Sequence, residues 1–132
     1  MNQTDREWLA AVLAGRPPGR FGHREHLPLS WLSLEAADTA EAASDQVSAT
    51  IQQIAAAHGA PQKYNHTVTA AWVRIVNHVR SARAVRTFDE LLDTAPWLFD
   101  KRLLLRHYTA RTLASADARR MFVPPDVCPI PD

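Results

Sequence analysis

The chain has 132 residues, of which 46% are hydrophobic and 22% charged, and its formal net charge at pH 7 is +1. This length suits one domain with its own core, and the small charge argues against the concentrated basic face of a nucleic-acid-binding protein. No apolar run is long enough to cross a membrane, and the charged N-terminus does not resemble a signal peptide. The single Cys128 excludes an internal disulfide. We therefore expect a cytoplasmic protein with no membrane or nucleic-acid partner.

Helical patterns begin close to the N-terminus. The capping signal Thr4-x-x-Glu7 predicts the start of a first helix, which ends at Gly15. A second helix has an apolar stripe at helical spacing. Because proline fits only the first turn of a helix, Pro28 places the regular start of this second helix near Glu25, with His23 in the turn before it. If the helix starts earlier, it must kink at Pro28. The stripe consists of Leu27, Trp31 and Leu34.

Two longer helices follow. The third runs from the capping signal Asp38-x-x-Glu41 to His58 and is ended by Gly59 and Pro61. Asn65 is a good N-cap residue for the fourth helix. We expect the apolar stripes of both helices to be buried, namely Val47, Ile51 and Ile54 on the third and Val68, Trp72, Ile75, Val76 and Val79 on the fourth.

The C-terminal third contains shorter helical patterns. Thr87-x-x-Glu90 opens a fifth helix, residues 97–108 form a further helical stretch, and residues 115–122 form a last short one. The proline-rich residues 123–132 favour an extended strap packed on the body. No alternating pattern predicts a strand. The predicted fold is all-α: residues 1–132 form an irregular single-domain bundle of five to seven helices.

Two polar stretches carry the residues that suggest chemistry. The first places His23 and His26 three residues apart, so their side chains share one face at a helix N-terminus. The second runs from Lys63 to Thr69 and contains His66. Imidazoles at such positions can bind a metal or transfer protons near neutral pH. We expect the two stretches to meet and form one site.

These residues also resemble a known group. The segments Phe21-x-His23-x-x-His26-Leu27, Trp31-Leu32, Tyr64-x-x-Thr67-x-Thr69-x-x-Trp72 and 118–126 (Ala-Arg-Arg-x-Phe-Val-x-Pro-Asp) are similar to those of small bacterial helical proteins of undefined function. In that group the residue after the tyrosine is often histidine. Here Asn65 takes that place and His66 follows it, which leaves open which of the two points into the site. The resemblance implies no particular activity.

Three interpretations of the site follow from these residues. In the first, His23, His26 and His66 bind one Zn, Cu or Fe ion and leave a position open for substrate. In the second, His26 or His66 acts as general acid or base without a metal, and Lys63 or Arg74 holds an anionic group of the substrate. In the third, the histidines cap helix ends, and the pocket binds a ligand or a protein partner without turnover.

The resulting functional hypothesis is a small enzyme acting on a small polar molecule at a histidine-lined site, with a non-catalytic ligand-binding or interaction domain as the alternative. In the enzyme, His26 and His66 are the catalytic residues. No nucleotide-cofactor motif is present. The residues expected to hold the substrate are Lys63, Tyr64, Thr67, Thr69 and Arg74.

Overall fold

The computed structural model describes residues 2–131, and within them the chain is all-helical with no strand. This confirms the predicted fold class; Met1 and Asp132, which belong to the predicted domain and strap, lie outside the described residues. The α-helices are α1 (Gln3–Leu13), α2 (His23–Ala36), α3 (Ala40–Ala57), α4 (His66–Ala82), α5 (Phe88–Thr94), α6 (Ala110–Leu113) and α7 (Ala116–Arg120). Short 3-10 helices cover Pro61–Lys63, Pro96–Phe99 and Lys101–Arg106.

Side-chain caps decide where the longer helices begin. Asn65 caps α4 as predicted, its Oδ1 accepting a hydrogen bond of 3.0 Å from the Val68 N–H. Thr87 caps α5 in the same way. The caps predicted at Thr4 and Asp38 are wrong, because Asn2 and Thr39 accept the free N–H groups of α1 and α3 instead.

The start of α2 is the earlier of the two alternatives that the sequence left open. The helix begins at His23, two residues before Glu25, and Pro28 lies inside it. Glu25 reaches back to accept a hydrogen bond of 2.8 Å from the Gly22 N–H. This contact satisfies an N–H at the helix N-terminus and stabilises the early start. His23 and His26 therefore both belong to the first turns of α2.

The core lies between α2, α3 and α4. Trp31 and Trp72 are its largest side chains, each 2% exposed. Of the seven other residues of the predicted stripes on α3 and α4, five are buried in this core, and Ile51 and Val68, which line a cavity, are partly buried at its edge. Burying so much apolar surface is the main stabilising contribution to this fold.

The C-terminal strap (residues 121–131) starts two residues earlier than predicted, forms no helix or strand, and is held to the body by hydrogen bonds. The buried Thr67 binds it twice: its hydroxyl donates to the Met121 carbonyl at 2.8 Å and accepts from the Val123 N–H at 3.0 Å. Tyr108 Oη donates to the Val123 carbonyl at 2.6 Å. Further along, the Asp126 carboxylate accepts three hydrogen bonds from the turn that begins α6.

None of the helices in residues 2–131 combines the length and the apolar character that crossing a membrane requires.

Candidate functional site

A cavity of about 480 Å³ opens between α2, α4 and the 3-10 helix Lys101–Arg106. We call it the main cavity. Its walls are largely apolar, and its polar lining comes from both stretches singled out in the sequence. The apolar walls include Phe21, Ile51, Val68, Trp72, Leu104 and Leu113. The predicted site residues that line it are His23, His26, Lys63, Tyr64 and Thr69.

His23 joins α2 to the neighbouring 3-10 segment. Its Nε2 donates a hydrogen bond of 2.7 Å to the Leu98 carbonyl, since a carbonyl oxygen only accepts. Its ring centroid lies 4.3 Å from that of Trp72. Because Nε2 carries the proton that it donates to the Leu98 carbonyl, this nitrogen is not free to bind a metal or a substrate.

His26 lies one turn further along α2 and is only 8% exposed. Its Nδ1 is hydrogen-bonded to Ser30 Oγ at 3.2 Å, and its buried Nε2 has no hydrogen-bond partner among the described residues. Burial disfavours the charged imidazolium and, with a smaller contribution from His23, lowers the pKa of His26 to about 3. His26 is therefore a neutral imidazole at physiological pH.

Tyr64 lines the main cavity and is hydrogen-bonded to a residue of a second one. Its ring lines the main cavity, and its Oη is hydrogen-bonded to His66 Nδ1 at 2.7 Å. Burial raises the pKa of Tyr64, so the phenol is protonated at neutral pH. The second cavity has a volume of about 520 Å³. Its lining includes His66, Arg74, Glu41, Asp45, Asn77 and Phe122.

The structure thus separates residues that the sequence analysis placed together. His66 and Arg74 line the second cavity, and the Arg74 guanidinium lies 3.9 Å from the centre of the Phe122 ring. Asn65 is the residue beside the main cavity, where its side-chain N–H donates to the Leu113 carbonyl at 2.7 Å. Thr67 holds the strap, and it does not line the main cavity.

The predicted three-histidine metal set does not form in the described part of the chain. Residues 2–131 contain no group of three or more His, Cys, Asp or Glu side chains arranged to hold a metal ion. The physical reason lies at the start of α4, where Asn65 is the extended N-cap and His66 the first helical residue, so their side chains project differently. Asn65 lines the main cavity with His23 and His26, whereas His66 lines the second cavity.

The site also contains cations that the sequence analysis missed. Lys101 and Arg102 line the main cavity together with Lys63, and because all three residues are exposed we place them at its opening. None of the described Asp or Glu side chains lines this cavity. Arg102 pairs with Asp100 at 3.0 Å, whereas neither lysine makes an ion pair within residues 2–131. The rarity of lysine was a signal in the sequence, because Lys63 and Lys101 are the only two lysines in the chain.

Searches against known proteins returned no matching family model, no matching curated protein and no matching solved structure. The geometry of the cavities is therefore what a functional proposal rests on.

Proposed function

We propose that this chain binds a small amphipathic anion in the main cavity. The observation that supports the proposal is a cavity with apolar walls and two lysines that no described carboxylate pairs with; its third cation, Arg102, is paired with Asp100. Its volume of about 480 Å³ lies within the range of small-molecule sites, which are mostly apolar with a few polar groups that fix orientation.

The two ends of the ligand would meet different surroundings. Its apolar body packs against Trp72 and its neighbours, away from water. Its acidic group lies at the opening near Lys63 and Lys101, which carry no other ion pair within residues 2–131. An exposed ion pair contributes little affinity. The apolar contacts therefore supply most of the binding energy, and the lysines select a negative charge.

Calorimetric titration with 3-phenylpropionate and 2-naphthoate, each beside its neutral amide, tests the proposal. We expect both acids to bind in a saturable manner and more tightly than their amides, with a preference that weakens at high salt. The double variant Lys63→Ala, Lys101→Ala should lose this preference. Arg6→Ala with Arg83→Ala is the matched control, since it removes the same charge from exposed positions outside this cavity. Equal binding of acid and amide, or no saturable binding, contradicts the proposal.

A second candidate function, proton transfer in the same cavity, is favoured by the hydrogen bond between Tyr64 and His66. Because the pKa of Tyr64 is raised, its oxygen can take a proton from a ligand only while its own proton passes to His66 Nδ1. His66 lines the second cavity, which gives the proton a route away from the ligand.

The probe for this activity is 5-nitrobenzisoxazole, an apolar molecule that opens to a coloured phenolate when a base removes its ring C–H proton and the N–O bond breaks. Tyr64→Phe and His66→Ala should each abolish any rate above buffer. His58→Ala is the control, because His58 only bonds to the Ile54 carbonyl at the end of α3. An equal rate in all variants would exclude this relay.

A further inference from the structure

His26 is the group in the main cavity that the binding of an anion leaves unexplained. The histidine lines the cavity, whereas Ser30, which holds its Nδ1, does not. Nε2 is therefore the ring nitrogen that is left to bind another molecule. Nε2 is buried and has no hydrogen-bond partner in residues 2–131. Buried polar atoms in folded proteins nearly always have a partner, so an orphaned one calls for an explanation.

The burial of Nε2 decides what kind of partner suits it. Nε2 exposes less than 1 Å² to solvent, so neither water nor a ligand reaches it until the ring turns toward the cavity. The bond to Ser30 is long, at 3.2 Å, and holds the ring only weakly, so the ring can turn toward a ligand. An unpaired buried donor or acceptor is costly, and a ligand that pairs with it regains that loss.

The charge state of His26 narrows the choice further. With its pKa lowered to about 3, the imidazole stays neutral and offers no counter-charge to an acid. A carboxylate placed there would lose its hydration without gaining an ion pair. A hydroxyl is better suited, because it both donates and accepts and so pairs with either neutral tautomer of the ring.

From these contacts we infer that the ligand is a hydroxy acid with an apolar, ring-sized body, whose hydroxyl at the end away from the acid is recognised by His26. This inference rests on the proposed anion binding. His26 is then the residue that determines specificity at the inner wall, while Lys63 and Lys101 hold the acid at the opening.

Paired probes measure the contribution of the hydroxyl alone. The pairs are 3-(4-hydroxyphenyl)propionate with 3-phenylpropionate, and 6-hydroxy-2-naphthoate with 2-naphthoate, which cover two lengths. For the native chain we expect the better-fitting hydroxylated acid to bind about tenfold more tightly than its partner, the effect of one good hydrogen bond. In His26→Leu, a similar-sized apolar replacement, the two members of each pair should bind equally. His58→Leu should keep the native ratio.

A second variant covers the case in which His26→Leu does not fold. His26→Gln keeps a neutral donor and acceptor at the inner wall and should retain part of the preference for the hydroxylated acid. If the native chain binds the acids but shows no preference for the hydroxyl, or if the preference survives in His26→Leu, the assignment of His26 is wrong while anion binding stands. If no acid binds in a saturable manner, the proposed function fails first, and this assignment fails with it.

Discussion

Replacing Thr67 with valine should destabilise the protein through two hydrogen bonds rather than through packing. The Thr67 hydroxyl donates to the Met121 carbonyl and accepts from the Val123 N–H. Valine has nearly the same shape but no polar group. Leaving a buried backbone group unpaired costs about 1–3 kcal/mol. Met121 and Val123 are not fully buried, so water can partly compensate. We therefore expect Thr67→Val to lower the free energy of unfolding by about 2–3 kcal/mol, toward the low end for two such groups.

Thr50 provides a matched control on the neighbouring helix. It is as buried as Thr67, at 4% against 0% exposed, but its hydroxyl donates only to the Gln46 carbonyl within α3. Thr50→Val should therefore cost less than about 1 kcal/mol. Thr67→Ser keeps the hydroxyl and should lose only a methyl group, about 1 kcal/mol. Urea unfolding followed by tryptophan fluorescence gives all three values. If Thr67→Val costs no more than Thr50→Val, the strap is not held in this way.

Three further predictions concern the core, the buried histidine and the strap. Trp72→Ala should cost about 3–5 kcal/mol of unfolding free energy, because the side chain is 2% exposed, and Trp97→Ala, at 45% exposed, far less. The folded state keeps His26 neutral, so between pH 7 and pH 5 only the unfolded chain takes up a proton there. Over this range the free energy of unfolding of the native chain should fall by about 2 kcal/mol more than that of His26→Leu. Hydrogen bonds from Thr112 and Thr109 lower the pKa of Asp126. The stability that the Asp126 carboxylate contributes is therefore fully present above the ordinary carboxyl pKa, and it is lost as the pH falls through the lowered pKa of the folded state. Asp126→Asn should flatten this acid limb in urea titrations from pH 6 to pH 2.

The elements that could be predicted from sequence are those that local chemistry determines. Asn65 and Thr87 cap helices through bonds to N–H groups three residues away, a distance that a sequence pattern records. Asn2 and Thr39 were missed because several residues near each helix start are able to cap, and a pattern does not rank them. The 3-10 helices at 96–106 were predicted only as a helical stretch, because proline and repeated leucines do not distinguish a 3-10 from an α-helix.

Local chemistry also determines which part of the candidate site could be predicted. His23 and His26 share a cavity because their spacing on α2 is a local property. The cations of the opening come from segments 38 residues apart, at Lys63 and Lys101, and nothing in the spacing reveals that they meet. The partners of Thr67 lie more than 50 residues away, so its role in holding the strap left no local signal.

The first turn of α4 explains why a dense polar stretch did not form a single site. The N-cap Asn65 faces the main cavity, His66 the second cavity and Thr67 the strap, because the N-cap and the helical positions after it project in different directions. The same turn therefore connects both cavities to the C-terminal strap through rigid helical backbone. A change that releases the strap at Thr67 would loosen the turn that positions Asn65 and Thr69 in the cavity wall. We therefore expect a Thr67 variant to weaken ligand binding through this turn, because Thr67 itself does not line the main cavity.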